Sequence, residues 1–473
     1  MDFVKPNGKR RVVVTGAGMI SGLGQNWEEA FEQLKSYKNC IKNMEEWHDI
    51  AGMNTQLACP AKGDLPKYPR KLVRGMGRVA LLSYHTSQLA LKMAGLLKED
   101  GDVVDELKNG RTGVAYGSSM GSFDSIEELT SVMSDRCTAK VNSSTYIKCM
   151  PHTCAANIEV TYQLKGRMIV TSEACTSGSQ SIGYGYETIE NGLQDIMICG
   201  GAEELCPPDA AIFDQLGSTS IRNEHPETAP SPFDKDRDGL VIGEGAGTLI
   251  LEDLEHAVKR GAKIYAEIVG FGTNTDGTHI TSPNSETMGI CMQLALDSAG
   301  LKGDEIAYVN AHGTSTHHGD IAETTATARV FGRKVPISST KSYIGHTLGA
   351  CGAVEAWLTI NMMNEGWFHP TLNLNNIDPE CGDLDYIRGE GRKMDAEYVM
   401  SNNFAFAGIN TSLIFKKWSD KSSFAMILTR GIFEKGCFLC EGQPFFAHPS
   451  SAVKGAGGVP ERSGGMSVAE PGT

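Results

Sequence analysis

No apolar run in this chain approaches the ~18 residues that a membrane-crossing helix needs, so a spanning segment is excluded. The opening residues, MDFVKPNGKRRVVV, carry charge where an export signal would have an apolar core. A cytoplasmic location is therefore expected. Cysteine is present without a frame. The 13 cysteines, an odd number, scatter through strand-like and helix-like segments, which suits a reducing compartment better than a disulfide scaffold. Positive charge is in short supply: 43 Lys and Arg stand against 57 Asp and Glu. The resulting net charge of −14 argues against nucleic acid as the main partner, and an acidic partner would need a local basic patch. No short-period repeat is present.

What is present is a chain of 473 residues with 40% hydrophobic content and 54 glycines, long enough for two or three domains or one large duplicated one. Strand-like runs cover 11–15, 112–117, 168–171, 195–199 and 247–252, then 264–272, 306–310, 336–339, 398–401 and 412–416. Amphipathic stretches at 27–37, 79–97, 288–299 and 353–364 lie between them. Strands alternating with helices imply an α/β protein with largely parallel, helix-covered sheets. Two runs of similar make-up meet near 252–263, which suggests two halves, 1–256 and 257–418. Residues 419–473 follow neither period and end in a Gly-, Pro- and Ser-rich stretch, so this tail is expected to be a disordered appendage without chemistry. Its Cys437 and Cys440 form a lone CxxC.

The chemistry concentrates in three motifs. In MIVTSEACTSGSQSIGYGYE, Cys175 falls between a short strand, expected to be buried, and a helix that begins near Ser177. A sulfur at the positive end of a helix dipole favours thiolate, and free backbone N–H groups there can hold an oxyanion. Gly178, Ser177 and Ser179 are read as keeping the turn open to an electrophile. Two histidines follow in loops that leave strands: His312 in YVNAHGTSTHHGDIAE and His346 in SSTKSYIGHTLGACGAVEAW. Alone, each reads as a hydrogen-bonded loop or core residue. In an open α/β sheet, however, such loops converge on one crevice beyond the strand ends. A cysteine and two histidines gathered there suit carbon–carbon bond formation on a thioester. The sulfur would hold an acyl group, and the imidazoles would stabilise the enolate left when a malonyl group loses carbon dioxide.

Four look-alikes carry less. VVVTGAGMISGLG mimics a dinucleotide fingerprint, but Ser21 takes the third glycine's place, so a strand-to-loop turn is expected there. DKDRDG at 234–239 begins like a calcium loop, but Gly245 stands where its glutamate would be. Adjacent His317 and His318 lack a matching ligand set, and the NSS at Asn142 means nothing in a cytoplasmic chain.

The motifs EACTSGS, GGAEE, SPFDKDRDGLVIGEGAG, NAHGTST, STKSYIGHTLGA and SNNFAFAGINTSLIF together resemble the β-ketoacyl-[acyl carrier protein] synthases of the elongating Cys-His-His type, over about 10–417. The resemblance implies a thiolase-like fold, a duplicated αβαβα five-layer arrangement. It also implies an acyltransferase that condenses an enzyme-bound acyl thioester with malonyl-carrier protein. Cys175 would be the nucleophile, and His312 and His346 would bind the malonyl carbonyl and assist decarboxylation. Lys341 would position the pair, and Glu323 would contact that lysine. The N–H groups of Cys175 and Phe404 would form the oxyanion hole, with Phe404 also a gate. Thr314 and Thr316 would hold the phosphopantetheine arm, and Met120 would bound the acyl pocket. No cofactor beyond the carrier-borne phosphopantetheine and no catalytic metal are implied. Asn310, Ala311, Glu355, Ser401 and Asn402 resemble a structural monovalent-cation site. Where relatives read NSFGFGGTN, this chain has alanine at 405 and 407, from which a stiffer gate is expected.

Partners follow from the same resemblance: an acidic acyl carrier protein, and a homodimer or a heterodimer with a chain-length-factor-like subunit. KYPRKLVRGMGR supplies a basic patch in which Lys71, Arg74 and Arg78 share one face of a helix, with Lys67 and Arg70 just before. The wording of several motifs resembles most the synthases of aryl polyene pigment clusters. Three other readings remain in view. A degradative thiolase would show a second cysteine in CxGxG, and an initiating synthase would show asparagine in place of one histidine. A non-catalytic subunit would lack the nucleophile.

Overall fold

A computed structural model describes residues 2–419, so the tail and its CxxC lie outside the described residues. Eleven strands form one sheet. In chain order they are β1 (Val12–Ile20), β2 (Thr112–Gly117), β3 (Met168–Val170), β4 (Ile196–Glu203), β5 (Gly245–Asp253), β6 (Ala266–Thr275), β7 (Ile306–Asn310), β8 (Pro336–Ser338), β9 (Asp385–Tyr386), β10 (Tyr398–Phe404) and β11 (Ile409–Lys417). Their order across the sheet is β9-β8-β7-β10-β11-β6-β1-β5-β4-β2-β3. The duplication is visible in that order. Leaving out the added edge strand β9 and counting each half from its own first strand, both halves read third, second, fourth, fifth, first from the edge to the centre. The halves join where β1 pairs antiparallel with β6, Val13 opposite Glu267.

Five main helices cover the sheets: α1 (Arg78–Met93), α2 (Ser177–Glu190), α3 (Ser285–Ala299), α4 (His317–Phe331) and α5 (Cys351–Glu365). The central pair, α2 and α5, packs together and against strands of both halves, so it forms the middle of five layers. Accordingly α2 is buried on nearly every side and α5 is buried from Cys351 to Met363. Small residues permit this crossing. A Cβ on Gly178 would lie 2.8 Å from Ala353 N, and one on Gly352 would lie 2.4 Å from Ser179 N. Gly178 therefore faces the partner helix rather than an incoming electrophile, which corrects the role expected of it.

Two strand expectations also change. The glycines of VVVTGAGMI do not make a turn; they sit inside β1, which runs on past a bulge after Val14. They admit α1: a Cβ on Gly16 would meet Ala90 O at 2.5 Å, and one on Gly18 would meet Thr86 O at 2.2 Å. β3 was expected to be buried but is the last strand of the sheet, with Met168 38% and Val170 39% exposed.

The seam between halves carries a charged cluster. Glu252 of β5 is buried, accepts from Thr15 Oγ1 at 2.9 Å, and is clasped by Arg260 Nε and Nη2 at 2.7 Å each. His256 bonds the same carboxylate through Nδ1 and reaches Glu106 at 2.9 Å through Nε2. The hydrogen bond to Glu252, opposed by burial, raises the His256 pKa to about 9. Because the charged ring is favoured only in the folded chain, its stabilisation is complete below the ordinary imidazole value of ~6.5 and fades as pH rises toward 9. The thermal midpoint should thus fall between pH 7 and 9 in the native protein and fall less in His256→Gln; parallel curves would remove His256 as the cause.

Candidate active site

The nucleophile's turn is stapled by its own hydroxyls. Ser177 Oγ donates to Ala174 O at 2.7 Å and accepts from Glu173 N at 3.0 Å, while Thr176 Oγ1 donates to Glu173 O at 2.7 Å. Ala174 is held at φ 49°, a left-handed conformation rare for alanine. The chain thereby turns sharply from β3 into α2 with Cys175 at the bend, in a short 3₁₀ turn.

His312 follows β7. Its N–H and that of Gly313 donate to the two oxygens of Glu323 on α4, at 2.8 and 2.7 Å, which fixes the loop onto that helix. His346 follows a short helix, Lys341–Ile344, and is strapped to the 241–243 segment: its N–H donates to Val241 O at 2.7 Å and its carbonyl accepts from Gly243 N at 2.9 Å. The N–H of Leu348 donates to His346 Nδ1 at 3.3 Å, and the buried Nε2 has no partner among the described residues.

These three segments meet. The Cys175 sulfur and one ring nitrogen of each histidine all lie within 4.8 Å of one another, and the two rings stand edge to face with centroids 5.0 Å apart. A cavity of about 440 Å³ opens onto them, and Thr314, Thr316 and Phe404 share its lining. The threonine hydroxyls are 2.9 Å apart, and the Phe404 ring lies 6.2 Å from that of His312.

Lys341 sets the electrostatics. Its ammonium is 1% exposed and contacts Glu355 Oε1 at 2.5 Å, not Glu323 as expected. Glu323 is occupied by the His312 loop, while the α2–α5 crossing carries Glu355 to the lysine. Burial opposes the lysine's charge, but Glu355, Cys351 and Glu323 outweigh it and raise its pKa. Burial pushes the Glu323 carboxyl up to about 8 against its two backbone donors. Burial first, then the Lys341 charge, drives both histidines well below their ordinary value, so both rings are neutral. Burial likewise pushes the Cys175 thiol up to about 12, against the pull of Lys341. Burial thus outweighs the helix end and favours the thiol over the thiolate expected from the position at the turn.

Other expected positions fare unevenly. Met120 does not line the cavity; Glu203 and Glu204 bind Ser119 N and Phe123 N on either side of it, and its side chain is 38% exposed. The residues of the expected cation set are joined to the Lys341 cluster. The two Glu355 oxygens accept from Lys341 and from Asn403 Nδ2, the latter at 2.9 Å, and Asn310 bonds Thr340 and Ser401. Ala407 sits at φ 65°, so alanine here does enter the left-handed region, at a cost of ~1 kcal/mol. The basic segment is not one helix: Arg70–Val73 and α1 are separate. Lys71 and Arg74 are exposed without ion pairs among the described residues, whereas Arg78 is clamped bidentately onto Glu244 at 2.5 and 2.7 Å. Sequence reasoning missed Asn403 and Cys351, which join the cluster behind the nucleophile; the only signal was the NNF that replaces NSF.

Known proteins place this geometry. The family described as beta-ketoacyl synthase, N-terminal domain, matches residues 9–257, and its C-terminal domain matches residues 265–375. The chain is 40% identical over 419 residues to the 3-oxoacyl-[acyl-carrier-protein] synthase 2 of Vibrio cholerae, covering 86% of this chain and 99% of that one. A crystal structure of a beta-ketoacyl synthase from Burkholderia phymatum is similar at 54% identity and TM-score 0.84, over 86% of this chain and 100% of that one. The ishigamide ketosynthase/chain length factor is similar at 30% identity and TM-score 0.78, over 87% and 100%. The chain belongs to the β-ketoacyl synthase family, which is a family of acyltransferases, and it has their thiolase-like α/β fold.

A buried pair broken on one side leaves a bare charge. Lys341→Met should lower stability by about 3–5 kcal/mol in denaturant unfolding, and adding Glu355→Leu should recover part of that loss. Equal losses in the single and double variants would show that the pair is not coupled.

Proposed function

We propose that this chain catalyses decarboxylative Claisen condensation between an acyl group held on Cys175 and a malonyl group delivered on acyl carrier protein. The observation that carries this reading is the convergence of one thiol and two neutral imidazoles within 4.8 Å at the floor of a single cavity. In the first step the Cys175 sulfur attacks the incoming thioester carbon, the bond to the carrier's sulfur breaks, and the cysteine's proton passes to that departing thiolate, so that the carrier leaves as a thiol. The N–H groups of Cys175 and Phe404 hold the oxyanion. In the second step the malonyl carbon–carboxylate bond breaks and carbon dioxide leaves. The enolate oxygen is held by N–H donors of His312 and His346, the new carbon–carbon bond forms at the acyl carbon, and the Cys175 thiolate departs and regains a proton. Neutral rings suit this task, because each can donate one hydrogen bond without carrying a charge of its own.

The phosphopantetheine arm runs past Thr314 and Thr316. Carrier protein docks at Lys71 and Arg74, with Lys67 and Arg70 beside them; Arg78 drops out because Glu244 already neutralises it. A two-fold partner covers β3, a terminal strand with exposed apolar side chains and unpaired backbone, which a lone chain would leave open to aggregation. That partner is a second copy or a chain-length-factor-like subunit, a pairing suggested by the ishigamide ketosynthase. The pathway is fatty acid or aryl polyene synthesis. Aryl polyene synthesis rests on the motif wording, fatty acid synthesis on the name of the Vibrio relative.

Intact-protein mass spectrometry with acyl- and malonyl-carrier proteins tests the chemistry. Cys175→Ala should show neither acyl adduct nor condensation; native-rate condensation by that variant would end the proposal. His312→Ala and His346→Ala should each slow malonyl decarboxylation on the order of 10²-fold while Cys175 can still be acylated. Arg74→Glu should raise the KM for carrier protein severalfold, an effect that shrinks at high salt; an unchanged KM would move the docking face elsewhere.

A further inference from the structure

We infer that Asn403 is a positioning residue that fixes the tautomer of His312, an inference that rests on the condensing-enzyme reading above. If both rings donate to the enolate oxygen, each must carry its proton on the nitrogen that faces the cavity. For His346 the main chain secures this: the Leu348 N–H occupies Nδ1 at 3.3 Å, so the proton sits on the unpartnered Nε2. No backbone donor does the same for His312, whose own N–H is spent on Glu323. Its Nδ1 faces the side-chain amide of Asn403 instead, with Nδ2 at 3.4 Å.

The amide's orientation decides which way the proton goes. Asn403 Nδ2 also lies 2.9 Å from Glu355 Oε2 and 3.5 Å from the Cys351 sulfur. A flipped amide would press its oxygen against that carboxylate, so the nitrogen stays on the Glu355 and His312 side. Of its two hydrogens, one goes to Glu355 and the other is shared between His312 Nδ1 and the sulfur. Nδ1 is then an acceptor, and the proton of the neutral ring must be on Nε2. The Asn403 main chain is fixed in β10 opposite Thr411 of β11, whose hydroxyl donates to the Asn403 backbone carbonyl at 3.1 Å, while the side-chain oxygen has no partner among the described residues, so the contacts of Nδ2 alone set the amide's orientation. With the other tautomer, His312 would turn a lone pair toward the developing enolate oxygen and repel it. Asn403 thus does with a side chain what Leu348 does with the main chain, and the Lys341–Glu355 pair behind it holds the amide in register.

Protein labelled with ¹⁵N in its histidine rings tests this, with the His312 signals assigned by their loss in His312→Gln. The native protein should show an unprotonated Nδ1 and a protonated Nε2 at His312, and Asn403→Ala should show a mixture. In the same variant, malonyl-carrier protein decarboxylation should fall on the order of tenfold or more. Acyl transfer onto Cys175, followed by mass, should persist and so show that the variant is folded. A native His312 protonated on Nδ1 would overturn the inference. So would an Asn403→Ala enzyme whose decarboxylation is undiminished, or falls in step with its acylation. Should the native enzyme decarboxylate no malonyl thioester, the condensing reading fails, while the ring signals still decide the role of Asn403.

Discussion

The structure depends on how closely two buried helices approach. α2 begins two residues after the nucleophile and α5 begins five residues after His346, so their crossing fixes the distance between sulfur and ring. That crossing has no side chain in it at Gly178 or Gly352, where any Cβ would collide with main-chain atoms of the other helix. Gly201 of β4 belongs to the same contact, since a Cβ there would lie 2.1 Å from Gly349 O. Interiors packed at crystal density transmit such displacements rather than absorb them. A methyl group at the crossing is therefore felt at the reacting atoms, although none of these glycines touches them.

Into this core the chain places one ammonium ion. Lys341 would be costly to bury alone, and Glu355, arriving on α5, makes it tolerable. The charge then acts outward in two opposed ways. It adds to burial, the larger cause, in keeping the imidazoles neutral, which serves hydrogen-bond donation, and it lowers the cost of a thiolate at Cys175. Burial outweighs the second effect and favours the thiol.

Much of this was legible from residue order. The strands 112–117 and 306–310 match their observed bounds, and Cys175, His312 and His346 meet as their strand-end positions implied. What failed did so for lack of long-range information. GAG in β1 has the composition of a turn, and only the approach of α1 explains it as strand. Lys341 had two carboxylates within reach of the argument, Glu323 and Glu355; the choice between them was made by the helix crossing, which no local spacing reports. Arg78 looked like its neighbours in a basic run until Glu244, 166 residues away in sequence, took it out of the patch. The burial of β3 was misjudged because a short apolar strand reads alike at the centre and at the edge of a sheet.

The loop after Phe404 shows how local chemistry and tertiary contact can oppose each other. Alanine at 407 argues for a loop that avoids positive φ, yet the loop adopts it. The reason lies outside the loop: Ala407 N donates to Ile280 O at 2.6 Å, and Gly408 O accepts from Asp276 N at 3.0 Å. Two main-chain hydrogen bonds to the 276–280 segment outweigh about 1 kcal/mol of strain. Gly408, at φ 67°, must remain glycine, because its Cβ would lie 2.0 Å from the Asp276 carboxyl carbon. Phe404 thus lines the cavity at the start of a loop whose backbone is set by its neighbour rather than by its own residue preferences.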